Sequence, residues 1–418
     1  MFEKLTNLKR NNLNHFFAIM IISFFPFFLL FSSLFTNLFV VILALLFLTQ
    51  FKFFKKDIVH DKVFFLLMLF WFFILISLYS SINFGNSISR SLGFLRFIVF
   101  SYAIAYYIKL DNFKYFKIIT LIWLSIFFLT SIDLLIEYIF GANIFGNKSY
   151  MEGRLAGFLG KELKIGNYYL AFYFLTIATL LHFFKENKIT NIILIILFTS
   201  IAFIIGERSN FIKTFLGLSI FFVFYEKIII KQKIIIIGFL LALVMFFVNF
   251  NQSFKIRYLD QFVTPIKSEG LNYYIKKHPY GAHFSTAFNI FKEYPKKGIG
   301  LKNFYYECWK DKYIDKRYTF NGHARCSTHP HQLHLEILSH VGIFGYLTFL
   351  SLFIYLIFCA IKTYLKTKNI FLLAPLIFII VSIFTPVPSG SFFTTYGATL
   401  FWLNFGLVLA YDPCKYKA

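Results

Sequence analysis

Long apolar runs separated by short basic clusters extend over most of this chain, from residue 15 to residue 411. Of its 418 residues, 58% are hydrophobic and only 15% are charged, which is typical of a membrane protein and not of a soluble domain. Backbone polar groups inside a bilayer must be satisfied within the segment, and this requirement favours helices. The sequence therefore predicts an all-α polytopic membrane protein, with residues 1–418 forming a single integral membrane domain.

A membrane-spanning helix needs about 20 apolar residues. The first run is not followed by a small-residue cleavage site, so we expect it to be a retained span and not a signal peptide. One long hydrophilic segment, residues 251–336, is predicted to form a large loop with short helices between the ninth and tenth spans. About twelve spans are predicted, near residues 15–33, 36–51, 62–81, 91–108, 118–139, 165–184, 191–206, 210–225, 234–250, 337–361, 370–387 and 395–411.

Basic clusters follow every second span and fall on the same side as the basic N-terminal segment. The positive-inside rule makes that side cytoplasmic, so both termini are predicted inside and the large loop outside. The formal net charge of +23 is then a consequence of membrane topology. We therefore expect membrane lipids around this chain and no nucleic acid partner.

Arginine is scarce, and seven of the eight arginines fall on the predicted outer side. Arg208 lies in a very short outer link, where a charge is costly unless it has a partner or a function. One interpretation is an anion-binding residue, because a guanidinium can bind two phosphate oxygens at once. The alternative is an arginine whose side chain extends to the membrane–water interface. Arg154, with Lys161 nearby, is a similar candidate, and Asp133 and Glu137 could be counter-ions or a proton or cation path.

The stretch CSTHPHQLHLEILSHVGIFG, residues 326–345, contains four histidines. No acidic residue or second cysteine pair completes a zinc site, so no metal is predicted. Pro330 is expected in the first turn of a helix, which would place His331 near a helix N-terminus, where free N–H groups suit a phosphate. A neutral histidine there can accept a proton from a hydroxyl, whereas the alternative is a solvated or interfacial histidine.

Two pairs of small residues complete the candidate features. Gly342 and Gly345 are expected to allow close helix packing where the chain returns to the bilayer. Cys308 and Cys326 both lie in the predicted outer loop, where an oxidising compartment favours a disulfide; two free thiols are the alternative.

His331-Gln332, nine residues and then Gly342-x-x-Gly345 resemble the H-[N/S/Q]-x9-G-x-x-G pattern of bacterial O-antigen ligases. The wider superfamily also includes O-antigen polymerases. The THPH lead-in, the PxxGxG turn at 295–300 with the amphipathic helix before it, the arginine in a tight outer link and the segment RLAGFLGKELKIG are similar too.

The resemblance implies a metal-independent, inverting glycosyltransferase without a cofactor, at the periplasmic face of the bacterial inner membrane. The donor would be a glycan on undecaprenyl pyrophosphate, and the acceptor would be lipid A–core in a ligase or a lipid-linked glycan in a polymerase. His331 would be the base or would orient the acceptor, Arg208 would hold the pyrophosphate, and either Arg257 or Arg325 would be a further essential arginine. The remaining candidate substrate contacts are Arg154, Lys161, Gln332 and His329.

Two other classes of protein are weighed against this one. A transporter or flippase for a lipid-linked glycan predicts functional charges at the bilayer midplane and an inverted repeat, and the sequence shows neither. A non-catalytic scaffold predicts that His331 and Arg208 can be replaced without loss.

Overall fold

The computed structural model describes residues 2–50, 61–160, 162–270, 272–273, 277–315 and 325–414. Helices make up most of these ranges, and no strand occurs in them, which confirms the all-α prediction. Lys161, a candidate substrate contact, lies outside the described residues. The thirteen helices named below are α1 Phe2–Phe31, α2 Ser33–Leu48, α3 Lys62–Ile76, α4 Phe84–Lys109, α5 Phe116–Phe140, α6 Ile165–Phe183, α7 Lys188–Ile204, α8 Arg208–Phe224, α9 Ile230–Phe250, α10 Pro279–Glu293, α11 Leu333–Thr367, α12 Ile370–Phe384 and α13 Thr395–Leu409.

A helix overlaps each of the twelve apolar runs. Four apolar helices are shorter than a typical span, so the count of twelve and the large loop stay predictions. Six helical segments within the described ranges are long and apolar enough to cross a membrane: Leu13–Phe31, Lys62–Ser80, Phe84–Lys109, Phe116–Phe140, Ile230–Phe250 and Leu333–Thr367.

Polar caps decide where several helices begin. The side chains of Ser32, Asp61 and Asn369 each accept a hydrogen bond from a backbone N–H in the first turn of α2, α3 and α12. Asn83 caps α4 in the same way, so this helix begins seven residues before the predicted start at residue 91. The polar residues before Arg90, which were not part of the predicted span, therefore form the first part of α4.

The interior of the bundle is built around α4, α6 and α13. Gly406 brings α13 against α4, because a Cβ at this position would lie 2.6 Å from the Ser101 carbonyl oxygen. The Ser101 hydroxyl donates to the carbonyl of Trp402 over 3.1 Å, and the indole of Trp402 is completely buried. By contrast, α9 exposes many large apolar side chains, as expected for a surface in contact with lipid.

The described residues after α9 include several short helical segments. A π-helical stretch, Lys255–Val263, precedes the amphipathic helix α10, whose Ala287 and Ile290 are buried. A disulfide joins Cys308 to Cys326, with 5.4 Å between the Cα atoms. Chain segments on both sides of this bond are thereby held beside α10.

A break in α11 positions the beginning of that helix. Gly342 has a φ of 79°, in the left-handed region that favours glycine, and interrupts the helical backbone there. For Gly342 close helix packing stays a prediction; its closest contact is with a turn, since a Cβ there would lie 2.6 Å from the Lys296 carbonyl oxygen of the PxxGxG turn. Gly345 does lie close to a helix, because its Cβ would be 3.3 Å from the Cβ of Phe73 in α3.

Candidate active site

Four rings, three of them histidines, cluster between α10 and the start of α11. The ring centroids of His329 and His331 are 4.1 Å apart, and the ring of His331 lies 5.4 Å from both His283 and Tyr280. Tyr280 and His283 are three residues apart, so they face the same side of α10. Two segments far apart in sequence thus meet at His331.

The backbone holds His331 in an unusual conformation. Its φ is 57°, in a region that costs a non-glycine residue free energy and persists only where neighbours impose it. The backbone N–H of Ser389 donates to the His331 carbonyl over 2.8 Å, and His331 Nε2 lies 3.0 Å from Ser327 Oγ. The segment that contains Ser389 is tied in turn to α11, where buried Glu336 accepts from the Phe392 N–H over 2.9 Å.

The helix begins later than the sequence suggested. Its first residue is Leu333, so Pro330 precedes the helix and the predicted place for it in the first turn is wrong. Gln332 is the N-cap, and its side chain accepts the N–H of Leu335 over 2.6 Å. The Gln332 side-chain oxygen, predicted to contact substrate, is therefore engaged in capping.

Burial keeps the histidines of this cluster neutral. Desolvation, reinforced by His283, lowers the pKa of His331 to about 4. Desolvation, with a further contribution from His331, lowers the pKa of His329 to about 3. Both imidazoles are consequently uncharged at neutral pH and able to accept a proton.

Three arginines meet a short distance away. Arg208 donates to the Arg257 carbonyl over 2.9 Å, and Arg257 donates to the Gly206 carbonyl over 2.9 Å. Arg154 forms an ion pair with Glu207 at 2.8 Å. Burial, then Arg208 and then Arg154, lower the pKa of Arg257, so the three positive charges lie close enough to repel one another.

The backbone at this junction leaves no room for side chains. Gly206 has a φ of 77°, and a Cβ there would lie 2.0 Å from the Gly153 carbonyl oxygen. A Cβ at Gly153 would meet the Arg257 side chain at 2.7 Å. Close backbone contact between the segments before Arg154 and Arg208 therefore brings their guanidinium groups together.

Of the carboxylates near Arg154, only Glu207 pairs with it among the described residues. Burial raises the pKa of Glu207, and the Arg154 charge opposes that rise. Asp133 and Glu137 accept backbone N–H groups instead, from Ile144 over 2.9 Å and from Gly157 over 2.7 Å. The suggestion that these two acids are arginine counter-ions is thus wrong within the described part of the chain.

The two candidates for a further essential arginine lie in different surroundings. Arg257 is hydrogen bonded to Arg208, as described above. Arg325 donates instead to the carbonyls of Cys308 and Trp309, over 2.9 and 3.0 Å, and so braces the disulfide-closed segment. The structure brings Arg257, and not the Arg325 guanidinium, to the Arg208 side chain.

Two histidines that the sequence did not single out, His278 and His283, lie at the beginning of α10. Burial, followed by the charge of Arg208 and then by His283, lowers the pKa of His278 to about 4. The ring of His283 lies tilted beside that of His331. Both lie in the segment HPYGAH, His278 as the N-cap of α10 and His283 within its first turns. Only the contact between α10 and the His331 segment indicates that they belong to the site.

A cavity of about 380 Å³ opens beside His329. Most of its surface is apolar, and Lys164, Asn210 and Lys213 bring polar groups to it. Lys213 is only 6% exposed and forms no hydrogen bond or ion pair with any described residue. A buried cation without a counter-ion is costly, so Lys213 is a candidate anion contact. The sequence did not indicate this role, because Lys213 lies within an apolar run.

Fold and site together describe a helical multi-pass membrane protein with clustered arginines and neutral histidines beside an apolar cavity. Residues 192–350, from α7 into α11, match the family described as O-Antigen ligase, which confirms the resemblance noted in the sequence. The match supports a membrane enzyme of the ligase or polymerase type, and the matched range contains Arg208, Arg257 and His331. No curated protein matches the chain.

Proposed function

We propose that this chain is an O-antigen ligase-like glycosyltransferase of the bacterial inner membrane. It transfers a glycan from undecaprenyl pyrophosphate to a sugar hydroxyl of lipid A–core at the periplasmic face. The observation that carries this proposal is that the matched range contains both a neutral His331, clustered with His283, and Arg208, hydrogen bonded to the Arg257 carbonyl. A proton acceptor and an anion site are the two parts that such a transfer requires.

In this proposal His331 takes the proton of the acceptor hydroxyl as its oxygen attacks the anomeric carbon. The new bond joins that carbon to the acceptor oxygen, and the bond to the pyrophosphate oxygen breaks with its electron pair. Undecaprenyl pyrophosphate leaves with the added negative charge, and the configuration of the anomeric carbon inverts. Ser327, 3.0 Å from His331 Nε2, orients the imidazole.

The leaving group is stabilised by fixed positive charge. Arg208 and Arg257 are positioned by backbone carbonyls, so their orientation is set before the substrate binds. Arg154 is held by Glu207 and sets the geometry of the same junction. The apolar lining of the 380 Å³ cavity suits the first part of the lipid tail, and Lys213 adds a cation there.

The polymerase is the second candidate, since it uses the same donor chemistry with another lipid-linked glycan as the acceptor. The HQ-x9-GxxG pattern favours the ligase. The ligase and the polymerase differ in the acceptor, which the following experiment identifies.

The test is a lipopolysaccharide gel of a deletion strain, with lipid-linked glycan extracted from the same cells. Complementation with the wild-type protein, with His331→Ala and with Arg208→Ala runs beside it. Loss of the ladder, with long polymer left on undecaprenyl pyrophosphate, indicates a ligase, whereas core carrying a single repeat indicates a polymerase. A normal ladder with both variants would refute the catalytic roles.

A further inference from the structure

A second cavity, of about 420 Å³, lies between the beginning of α4 and the turn that follows Gly300. Three cations line it, Arg90, Arg96 and Lys302, together with hydroxyl groups of Tyr305, Tyr306 and Thr328. No carboxylate is among the described residues that line it. The surface is mostly polar, in contrast to the apolar cavity beside His329.

The three cations have no carboxylate in direct contact among the described residues. Arg90 and Arg96 both donate to the same oxygen, Thr395 Oγ1, over 3.3 and 3.4 Å. Arg96 Nε is buried and has no hydrogen-bond partner. Neither arginine forms an ion pair with any residue that the structure describes, and the same holds for Lys302. Burial and then the charge of Arg90 lower the pKa of Lys302, and the buried carboxylate of Glu336, which does not line the cavity, only partly opposes this decrease.

Positive charge inside an apolar helix is costly and needs a reason. Arg96 lies about 18 Å along α4 from Phe84, at 1.5 Å per residue, within a segment apolar enough to cross a membrane. Its side chain turns towards the N-terminal end of the helix and reaches the same acceptor as Arg90. A bound anion would offset the repulsion that the empty arrangement carries.

This cavity is connected to the proposed base through Thr328 and His329. Thr328 lines the cavity, and its hydroxyl lies 3.0 Å from His329 Nδ1. The ring of His329 is tilted against that of His331, which also lies 5.4 Å from the ring of His283. The cavity therefore brings positive charge to the neighbourhood of His331 from a part of the fold other than the one that carries Arg208.

We propose that Arg90, Arg96 and Lys302 bind an anionic group, a phosphate or a carboxylate, on the acceptor glycan. The identity of the ligand rests on the proposed function, because the donor pyrophosphate already has its own arginines at Arg208 and Arg257. The volume is ample for a phosphorylated sugar, given that a water molecule occupies about 30 Å³ in the liquid. Holding the acceptor by a charged group next to the hydroxyl would orient that hydroxyl towards His331.

The test measures glycan transfer by the purified full-length protein, in lipid nanodiscs, with Arg90→Gln/Arg96→Gln and separately with Lys302→Gln. Lys297→Gln is the matched control, because this exposed lysine lies over the Tyr79 ring, 4.2 Å from its centroid, and not in the cavity. One arm uses core oligosaccharide as acceptor, with and without phosphatase treatment, and the other uses a lipid-linked glycan. We expect the KM for the anionic acceptor to rise about tenfold or more in the cavity variants, equal to about 1.4 kcal/mol, while the KM for the donor stays unchanged.

The wild-type protein should prefer the untreated acceptor, and the cavity variants should lose that preference. Whichever arm shows this loss identifies the source of the anion. Variants that retain the preference, or that raise the KM for the donor and the acceptor equally, would overturn the proposal. Lys302→Gln decides the outcome if the double variant does not fold.

A measurement without transfer separates this proposal from the proposed function. Inorganic phosphate is titrated against the Tm of the wild-type protein, of the cavity variants and of Arg208→Gln. Stabilisation that is weakened in the cavity variants as well as in Arg208→Gln supports two anion sites, even if no glycan is transferred. Stabilisation that is unchanged in the cavity variants refutes the second site, even if transfer is observed.

Discussion

The backbone N–H of Gly300 donates to the carbonyl of His340 over 3.0 Å, and the adjacent N–H of Ile299 donates to Ser339 over 2.9 Å. These carbonyls are free to accept because Gly342 interrupts α11 and removes their partners within the helix. The PxxGxG turn and the GxxG motif, separate in sequence, therefore form one interlocked unit. This unit supports Lys302 on one side and the His331 segment on the other.

Gly342→Ala is expected to disrupt this unit. The backbone at Gly342, with φ 79° and ψ −177°, costs a residue with a Cβ about 1–3 kcal/mol, and the new methyl group would also lie 2.6 Å from the Lys296 carbonyl oxygen. We expect a lower Tm together with reduced transfer, measured on the purified protein. Gly238→Ala is the control: it lies inside α9 in open space, where alanine favours the helix by about 1 kcal/mol. Equal Tm values for the two variants would contradict this interpretation of the break.

His331→Gln should reduce transfer about 10²- to 10⁴-fold, the usual contribution of a general base, without preventing donor binding. His334→Gln is a control from the same stretch of sequence. The His334 ring is directed to the Ile383 carbonyl, 2.9 Å from Nε2, and to the Tyr346 hydroxyl. We expect a small effect at that position. Similar losses in both variants, measured as initial rates at saturating donor, would show that the stretch is structural.

Reduction of the bond between Cys308 and Cys326 should loosen the segment braced by Arg325. Closing a loop of this size in the unfolded chain contributes about 3 kcal/mol. The Tm of the wild-type protein should therefore fall in reductant, and Cys308→Ser/Cys326→Ser should have the low value with or without it. Cys359→Ser/Cys414→Ser, which replaces the two free cysteines, should keep the response to reductant. A wild-type Tm that is insensitive to complete reduction would argue against a stabilising role.

Acid should destabilise the fold through the buried histidines. In the unfolded chain a histidine has a pKa near 6.5, whereas burial lowers the pKa of His278 and His331 to about 4 and that of His329 to about 3. The unfolded state then binds more protons, so stability is highest above pH 6.5 and decreases as the pH falls towards 4. Thermal unfolding between pH 8 and pH 4.5 measures this decrease. His278→Asn should make the decrease shallower, and an unchanged slope would show that other groups cause it.

The sequence alone determined the class of fold, because helix formation across apolar runs depends on residues near one another in the chain. The helices at the predicted runs and the His331 to Gly345 pattern both have this local origin. Helix ends were less accurate where a polar cap, as at Asn83, extends a helix beyond its apolar part. Gln332 was recognised as part of the motif, but its role as a helix cap was not predicted.

Tertiary structure alone decided which charges meet. Arg257 lies 49 residues from Arg208 in the chain, and Arg90 lies 305 residues from Thr395. Hydropathy and motif spacing carry no information about such distances, because packing between helices and the close contact at Gly206 set them. The sequence could therefore identify scarce arginines and a histidine motif, whereas the folded chain decides that Arg208 meets Arg257 and that Arg90 and Arg96 share one acceptor.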